Sequence, residues 1–163
     1  MSKLLAFGAS SSKNSKNKKL ASYVAKRMAP KEAIIVDLNE FEMPIYSEDR
    51  EEEAGIPEKA YEFKKLVNES IGIIISLAEH NGSYTSAFKN IYDWISVIEK
   101  TVWSNKPLIL LSTSDGQNAG NTVLQTALSR FSRQSTIEIP HFALPKFNEN
   151  FSDTDGITDK KLS

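Results

Sequence analysis

Between Ile71 and Ser96 an apolar run, a polar turn and a helical repeat follow one another without a break. The run is Ile71-Gly72-Ile73-Ile74-Ile75. It lacks polar alternation, which suits a strand covered on both faces, as inside a parallel sheet. The repeat is carried by Phe88, Ile91, Ile95 and Ile98, spaced by threes and fours with Trp94 beside them, and it marks one face of a helix. Between the two lies Ala78-Glu79-His80-Asn81-Gly82-Ser83, a polar turn at the carboxyl end of the strand. Open α/β sheets bind ligands in turns at that end.

The remaining chain repeats the alternation. Lys3 to Phe7 reads as a strand, and a hydroxyl-rich loop runs from Gly8 to Asn17. A helix is expected from Ser15 to Met28 with Leu20, Val24 and Met28 on one face, ended by Pro30. Ala33 to Asp37 is a second strand. Asn39 to Pro57 reads as irregular and acidic, broken by Pro44, Gly55 and Pro57. Glu58 to Asn68 is a helix with Ala60, Phe63 and Val67 inward. After the central unit come a strand at Pro107 to Ser112, a loop at Thr113 to Gly120, and a helix at Ala119 to Phe131 with Val123, Ala127 and Phe131 inward. A short fifth strand is expected at Thr136 to Ile139, then an irregular tail from Pro140 with a helix start at Asp159. Strands alternating with helices argue for an α/β fold, a five-stranded parallel sheet with helices on both faces. Five strands are compatible with the order 2-1-3-4-5. At 163 residues, one domain spanning 1–163 is expected.

Composition narrows the partners. The formal net charge is −1, so no overall field favours nucleic acid or an anionic membrane, and neither is expected as a partner. There is no cysteine, which excludes disulfides, a thiol nucleophile and cysteine-held iron–sulfur clusters. No apolar run approaches the roughly 20 residues of a spanning helix. Met1-Ser2-Lys3-Leu4-Leu5 leads straight into a strand, too short for a signal peptide, so a cytoplasmic protein is expected.

The right-handed crossover rule places the turns after strands one, three and four on one edge of the sheet. The first offers Ser10, Ser12, Ser15, Lys16 and Asn17 ahead of a helix whose free N–H groups suit a phosphate. Lys13, Lys16, Lys18 and Lys19 add local positive charge, and the same Ser and Asn residues also serve as plain N-caps. The second, Glu79-His80-Asn81-Gly82-Ser83, sets backbone donors and acceptors against a flat heterocycle. The third, Ser112 to Gly120, pairs small residues with glycines and suits a ring edge or a phosphate as well as a simple turn. No triad spacing accompanies His80. The acidic run Glu48 to Glu53 reads as a solvated loop without the rigid spacing of a metal site.

Taken together, the loops resemble the NADPH-dependent FMN reductase family of flavodoxin-like proteins. The family's Gly-Ser-x-Arg-x-x-Ser-x-Asn stands here as Ala9 to Asn17. Its Pro-Glu-Tyr-Asn-Gly-Ser stands as Ala78 to Ser83, followed by Phe88-Lys89-Asn90-Ile91-Tyr92-Asp93-Trp94 for its Leu-Lys-Asn-x-x-Asp-Trp helix. Its Ser-x-Ser-x-Gly-Gly-x-x-Gly stands as Ser112 to Gly120. The chain departs from the pattern at Ser12, which replaces the phosphate-loop arginine, and at Ala78, His80 and Gln117.

The resemblance implies a flavodoxin-like three-layer sandwich that holds FMN. It implies the phosphate on Ser10, Ser12, Ser15, Lys16 and Asn17. The ring would lie between Ala78, Glu79, His80, Asn81 and Gly82 on one side and Ser112, Ser114, Asp115 and Gly116 on the other. It further implies a ping-pong oxidoreductase that takes hydride from NADPH or NADH to flavin N5 and passes it to a flavin, quinone, azo compound or metal oxyanion. The flavin carries the chemistry, so no catalytic side chain and no metal are expected. A homodimer or homotetramer is implied too, with Tyr84, Trp94 and Trp103 as exposed contacts. Two alternatives remain at this level: an electron carrier without its own NAD(P)H turnover, and a binding module that has lost flavin.

Overall fold

In a computed structural model of the chain, which describes residues 3–163, five strands form one parallel sheet. The elements are β1 (Lys3–Ala9), α1 (Lys16–Met28), β2 (Ala33–Val36), α2 (Glu48–Ala54), α3 (Glu58–Glu69), β3 (Ser70–Leu77), β4 (Glu79–His80), β5 (Ser83–Tyr84), α4 (Ser86–Ile98), β6 (Leu108–Thr113), α5 (Asn121–Phe131), β7 (His141–Leu144), α6 (Phe147–Asn150), β8 (Phe151–Ser152) and β9 (Gly156–Ile157). The sheet runs β2-β1-β3-β6-β7, which is the order 2-1-3-4-5 when its strands alone are numbered. Two small antiparallel hairpins, β4–β5 and β8–β9, stand outside it.

The pleat divides the core into two layers. Leu5, Phe7, Ile73, Ile75, Leu77 and Leu110 face α3, α4 and α5, where Phe63, Phe88, Trp94 and Phe131 meet them. Leu4, Ala6, Ile74 and Leu111 face α1, which contributes Leu20, Ala21 and Ala25, and α6, which contributes Phe147. Burying each large side chain contributes on the order of 1.5–3 kcal/mol. The α3–α5 layer is the aromatic one. Phe88 stacks on Trp103 with centroids 6.3 Å apart, and Trp103 meets Phe131 edge-on at 5.3 Å.

Trp94 and Trp103 are therefore core residues, 1% and 4% exposed, and not the exposed contacts expected of them. Trp94 fits there because its Nε1–H donates to Pro44 O at 2.7 Å, which satisfies the indole inside the core. Tyr84 is half-buried, and burial pushes its phenol up to about 12.

Other expectations shift for local reasons. Met28 is exposed, and the inward face of α1 is Asn17, Leu20, Ala21 and Ala25, where small side chains let the helix lie close to the sheet. The acidic stretch Glu48–Ala54 is helical, started by Ser47, whose side chain accepts from Arg50 N–H, and ended at Gly55. It buries nothing, so no apolar periodicity announces it. The fifth strand lies at His141–Leu144 and not at Thr136 to Ile139. Pro140 introduces it, where its missing N–H is no loss, while its carbonyl still accepts from Leu110 N–H at 3.0 Å. The tail forms α6 and the β8–β9 hairpin in place of an irregular run, and no helix begins at Asp159. Lys64, on the inward face of α3, is buried. Its ammonium donates to Val102 O and Ser104 Oγ and pairs with Glu99 at 2.9 Å.

Candidate flavin site

Gly8 fixes the first wall of the site. A Cβ there would lie 2.2 Å from Lys18 N and 2.7 Å from Lys18 Cα, so the first turn of α1 rests directly on β1. The chain then turns through Ser10, whose Oγ accepts from Ser12 N–H at 3.1 Å, and reaches Ser15, the N-cap of α1. Ser15 Oγ accepts from Lys18 N–H at 3.0 Å, and its carbonyl accepts from Lys19 N–H. The N–H groups of Lys16 and Asn17 are left without a protein acceptor among the described residues. No acidic side chain occupies the first turn, so these donors and the helix dipole remain available to an anion.

Asn17 is engaged differently from its neighbours. Its side chain is buried at the sheet, where Nδ2 donates to Thr113 O at 3.2 Å and Oδ1 accepts from Ser76 Oγ at 2.7 Å and Thr113 N–H at 3.1 Å. It joins α1 to β3 and β6. What it presents to the loop is its backbone.

The second wall is the β4–β5 hairpin. Asn81 and Gly82 both have positive φ, 53° and 74°, the conformation of a type I′ turn. Glu79 leans away from the turn, and its Oε1 accepts from Val123 N–H at 2.8 Å. Val123 lies in the first turn of α5, whose N-cap, Gly120, brings no side-chain acceptor. Glu79 thus supplies a cap from another loop, and the anion-favouring end of α5 already holds a carboxylate. Of the helices that follow the first and third loops, only α1 keeps a free N-terminus among the described residues.

The third wall follows β6. Phe147 N–H donates to Ser114 O at 2.9 Å and Lys146 N–H to Gly116 O at 3.1 Å, which pins the loop to the tail. Ser112 lies beneath it, with its Oγ buried and without a partner among the described residues. Asp115 at the rim pairs with Lys16 across the opening, so the local carboxylate is neutralised by the phosphate loop's own lysine.

These walls enclose a cavity of about 330 Å³. Of the residues expected from the sequence, it is lined by Ser10, Ser12, Ser15, Lys16 and Asn17 from the first loop, Ala78, Glu79 and His80 from the second, and Ser114 and Asp115 from the third. Asn81, Gly82, Ser112 and Gly116 stand outside the lining, while Asn14 and Thr113 join it unforeseen. Thr113, the last residue of β6, and Asn14 are unassigned positions of the third and first motifs. Among the described residues no group of His, Asp and Glu is placed to hold a metal ion.

A profile of the NADPH-dependent FMN reductase family matches residues 2–149. A 2-hydroxy-1,4-benzoquinone reductase from Burkholderia sp is 32% identical over 117 residues, 71% of this chain and 62% of its own length. A quinone reductase from Escherichia coli (strain K12) is 27% identical over 79 residues, 48% of this chain and 42% of its own. The matched stretch thus spans less than two thirds of either relative. In three dimensions the chain is similar to FerB, a flavoenzyme NAD(P)H:(acceptor) oxidoreductase from Paracoccus denitrificans, with a TM-score of 0.78 at 22% identity over 99% of this chain and 88% of that one. That likeness shows the fold. The chain belongs to the NADPH-dependent FMN reductase family.

Proposed function

We propose that residues 1–163 act as one FMN-binding domain of an NAD(P)H-dependent oxidoreductase that reduces small-molecule acceptors, quinones first among them. The carrying observation is the convergence of three separate loops on one cavity, with the free N–H groups of Lys16 and Asn17 from the first, Ala78 and His80 from the second, and Ser114 and Asp115 from the third. The FMN phosphate would take the N–H groups of Lys16 and Asn17 and the hydroxyls of Ser10, Ser12 and Ser15. The ring would lie against Ala78, His80, Asn81 and Gly82 on one side and Ser112, Ser114, Asp115 and Gly116 on the other. Asn17 and Glu79 shape the site through contacts beneath and behind it. FMN, when bound, accepts hydride from NADPH or NADH and passes the electrons on. The chain's part is to orient the ring and to set backbone donors where charge collects on it.

The quinone preference draws on the names of the two relatives. A homodimer or homotetramer fits Ile45, 74% exposed on a loop pinned to α4 by Asn90 and Trp94. Among the described residues no helix is long and apolar enough to cross a membrane, and a cytoplasmic setting is consistent with that. The test is stopped-flow mixing of the FMN-loaded protein with NADPH and then 1,4-benzoquinone. Bleaching followed by recovery, one quinone reduced per NADPH, supports the reductase. Flavin that stays oxidised with both NADPH and NADH contradicts it and leaves an electron carrier.

A further inference from the structure

The chain has two histidines, and the parallel sheet sets them at opposite edges. His141 opens β7, at the edge where the strands begin, and its Nδ1 meets Ile139 O at 3.1 Å. His80 lies in the β4–β5 hairpin, at the edge where the strands end, and it lines the cavity. Successive residues of an extended strand point to opposite sides. Glu79 reaches for α5, where its Oε1 accepts from Val123 N–H, so His80 turns the other way. Its imidazole has no hydrogen-bond or ion-pair partner among the described residues.

Of the titratable side chains in the lining, Lys16 and Asp115 pair with each other and Glu79 is taken by α5, which leaves His80 uncommitted. Tyr84, on the other strand of the hairpin, stays a neutral phenol because burial pushes it up to about 12. Histidine is the side chain that ordinarily changes charge between about pH 5 and pH 8. The family pattern has tyrosine where this chain has His80, and a phenol with an ordinary pKa near 10 does not cycle in that range. The reaction leaves a task for such a group. NADPH gives up a hydride, which carries two electrons and one proton. A quinone leaves as a hydroquinone with two electrons and two protons, so one proton per turnover comes from elsewhere. Arrival of the hydride adds one negative charge to the cavity, and a facing imidazole then binds a proton more tightly.

Resting on the flavin reading of the cavity, we propose that His80 carries that proton. Its imidazole takes one from solvent when hydride reaches the ring and gives it to the quinone oxygen as the electrons leave. An O–H bond forms on the acceptor, the N–H bond on His80 breaks, and the neutral imidazole is restored. The test is a spectroelectrochemical titration of the FMN-loaded full chain from pH 5 to pH 9, for wild type, H80Q, H80Y and H141Q. The dependence of the midpoint potential on pH gives the protons taken up per flavin reduced. The FMN phosphate is present in every variant, so the differences isolate the histidines. Near pH 7 wild type and H141Q are expected to take up about half a proton more per flavin than H80Q and H80Y, a difference that fades toward either end of the range. Equal uptake by wild type and the His80 variants overturns the proposal alone. So does an extra proton that is lost in H141Q and kept in H80Q. Where H80Q gives up FMN, H80Y, which restores the family's residue, carries the same comparison. Wild type that retains no FMN overturns the proposal together with the reading beneath it.

Discussion

Glu79 and Val123 are 44 positions apart, yet the carboxylate of one accepts the backbone N–H of the other at 2.8 Å. The loop after β3 is thereby fastened to the helix after β6, which links the second wall of the cavity to the element behind the third. Replacing Glu79 with Ala removes the only side-chain cap of α5 among the described residues. It is expected to cost about 1 kcal/mol, within the range of lost N-caps. Thermal unfolding measures that loss, and flavin titration is expected to show weaker binding as the second and third walls separate. Glu79→Gln keeps an acceptor oxygen and is expected to recover most of the stability.

Gly8 is the position where β1 and α1 touch backbone to backbone. Gly8→Ala puts a methyl group 2.2 Å from Lys18 N, and a backbone atom has no rotamer by which to move aside. The first turn of α1 must shift. A loss of about 1–3 kcal/mol, the usual range for overpacking, is expected in urea denaturation, together with loss of FMN retention.

Asn17 and Ser12 separate structure from binding. Asn17→Ala leaves the Ser76 hydroxyl and the Thr113 N–H buried without their acceptor, at a cost of about 1–3 kcal/mol for each such group. Ser12 is exposed, and Ser12→Ala is expected to leave stability within about 0.5 kcal/mol while weakening FMN binding. Denaturant midpoints and flavin titrations on the same two variants are expected to rank them in opposite orders.

Asp37 ties the end of β2 to α1. Donation from the Lys18 ammonium, and next from Asn39 N–H, holds its carboxyl below the ordinary 3.8. A carboxyl depressed in the folded state contributes stability above its unfolded pKa and loses it as pH falls through the folded value. The stability difference between wild type and Asp37→Asn is therefore expected to be constant above about pH 5 and to shrink as pH drops below 3.8. Chemical denaturation from pH 3 to pH 7 measures it, and a difference that grows toward low pH contradicts the assignment.

What the sequence made legible was what short-range pattern encodes. The strand and helix at Ile71–Ser96, the Ser15 cap and the Asn81-Gly82 turn all rest on neighbours within a few positions. The crossover rule then put three loops on one edge, and ten of the fourteen residues expected to bind flavin line the cavity they form. The failures share a different cause. Met28 broke the expected α1 face because Ala21 and Ala25 pack against the sheet, and small residues give a weak apolar signal. The second helix buries nothing, and a proline hid the start of the fifth strand. Glu79 and Asn17 carried motif positions whose side chains answer to partners 44 and 96 residues away, a relation that no local period records.

The measurement closest to the central claim is a visible absorption spectrum of the protein after incubation with flavin and desalting, repeated after anaerobic addition of NADPH. The account predicts a retained flavin band that bleaches on reduction. A colourless protein after incubation with both FMN and FAD would contradict it, because a cavity walled by these three loops would then hold no flavin at all.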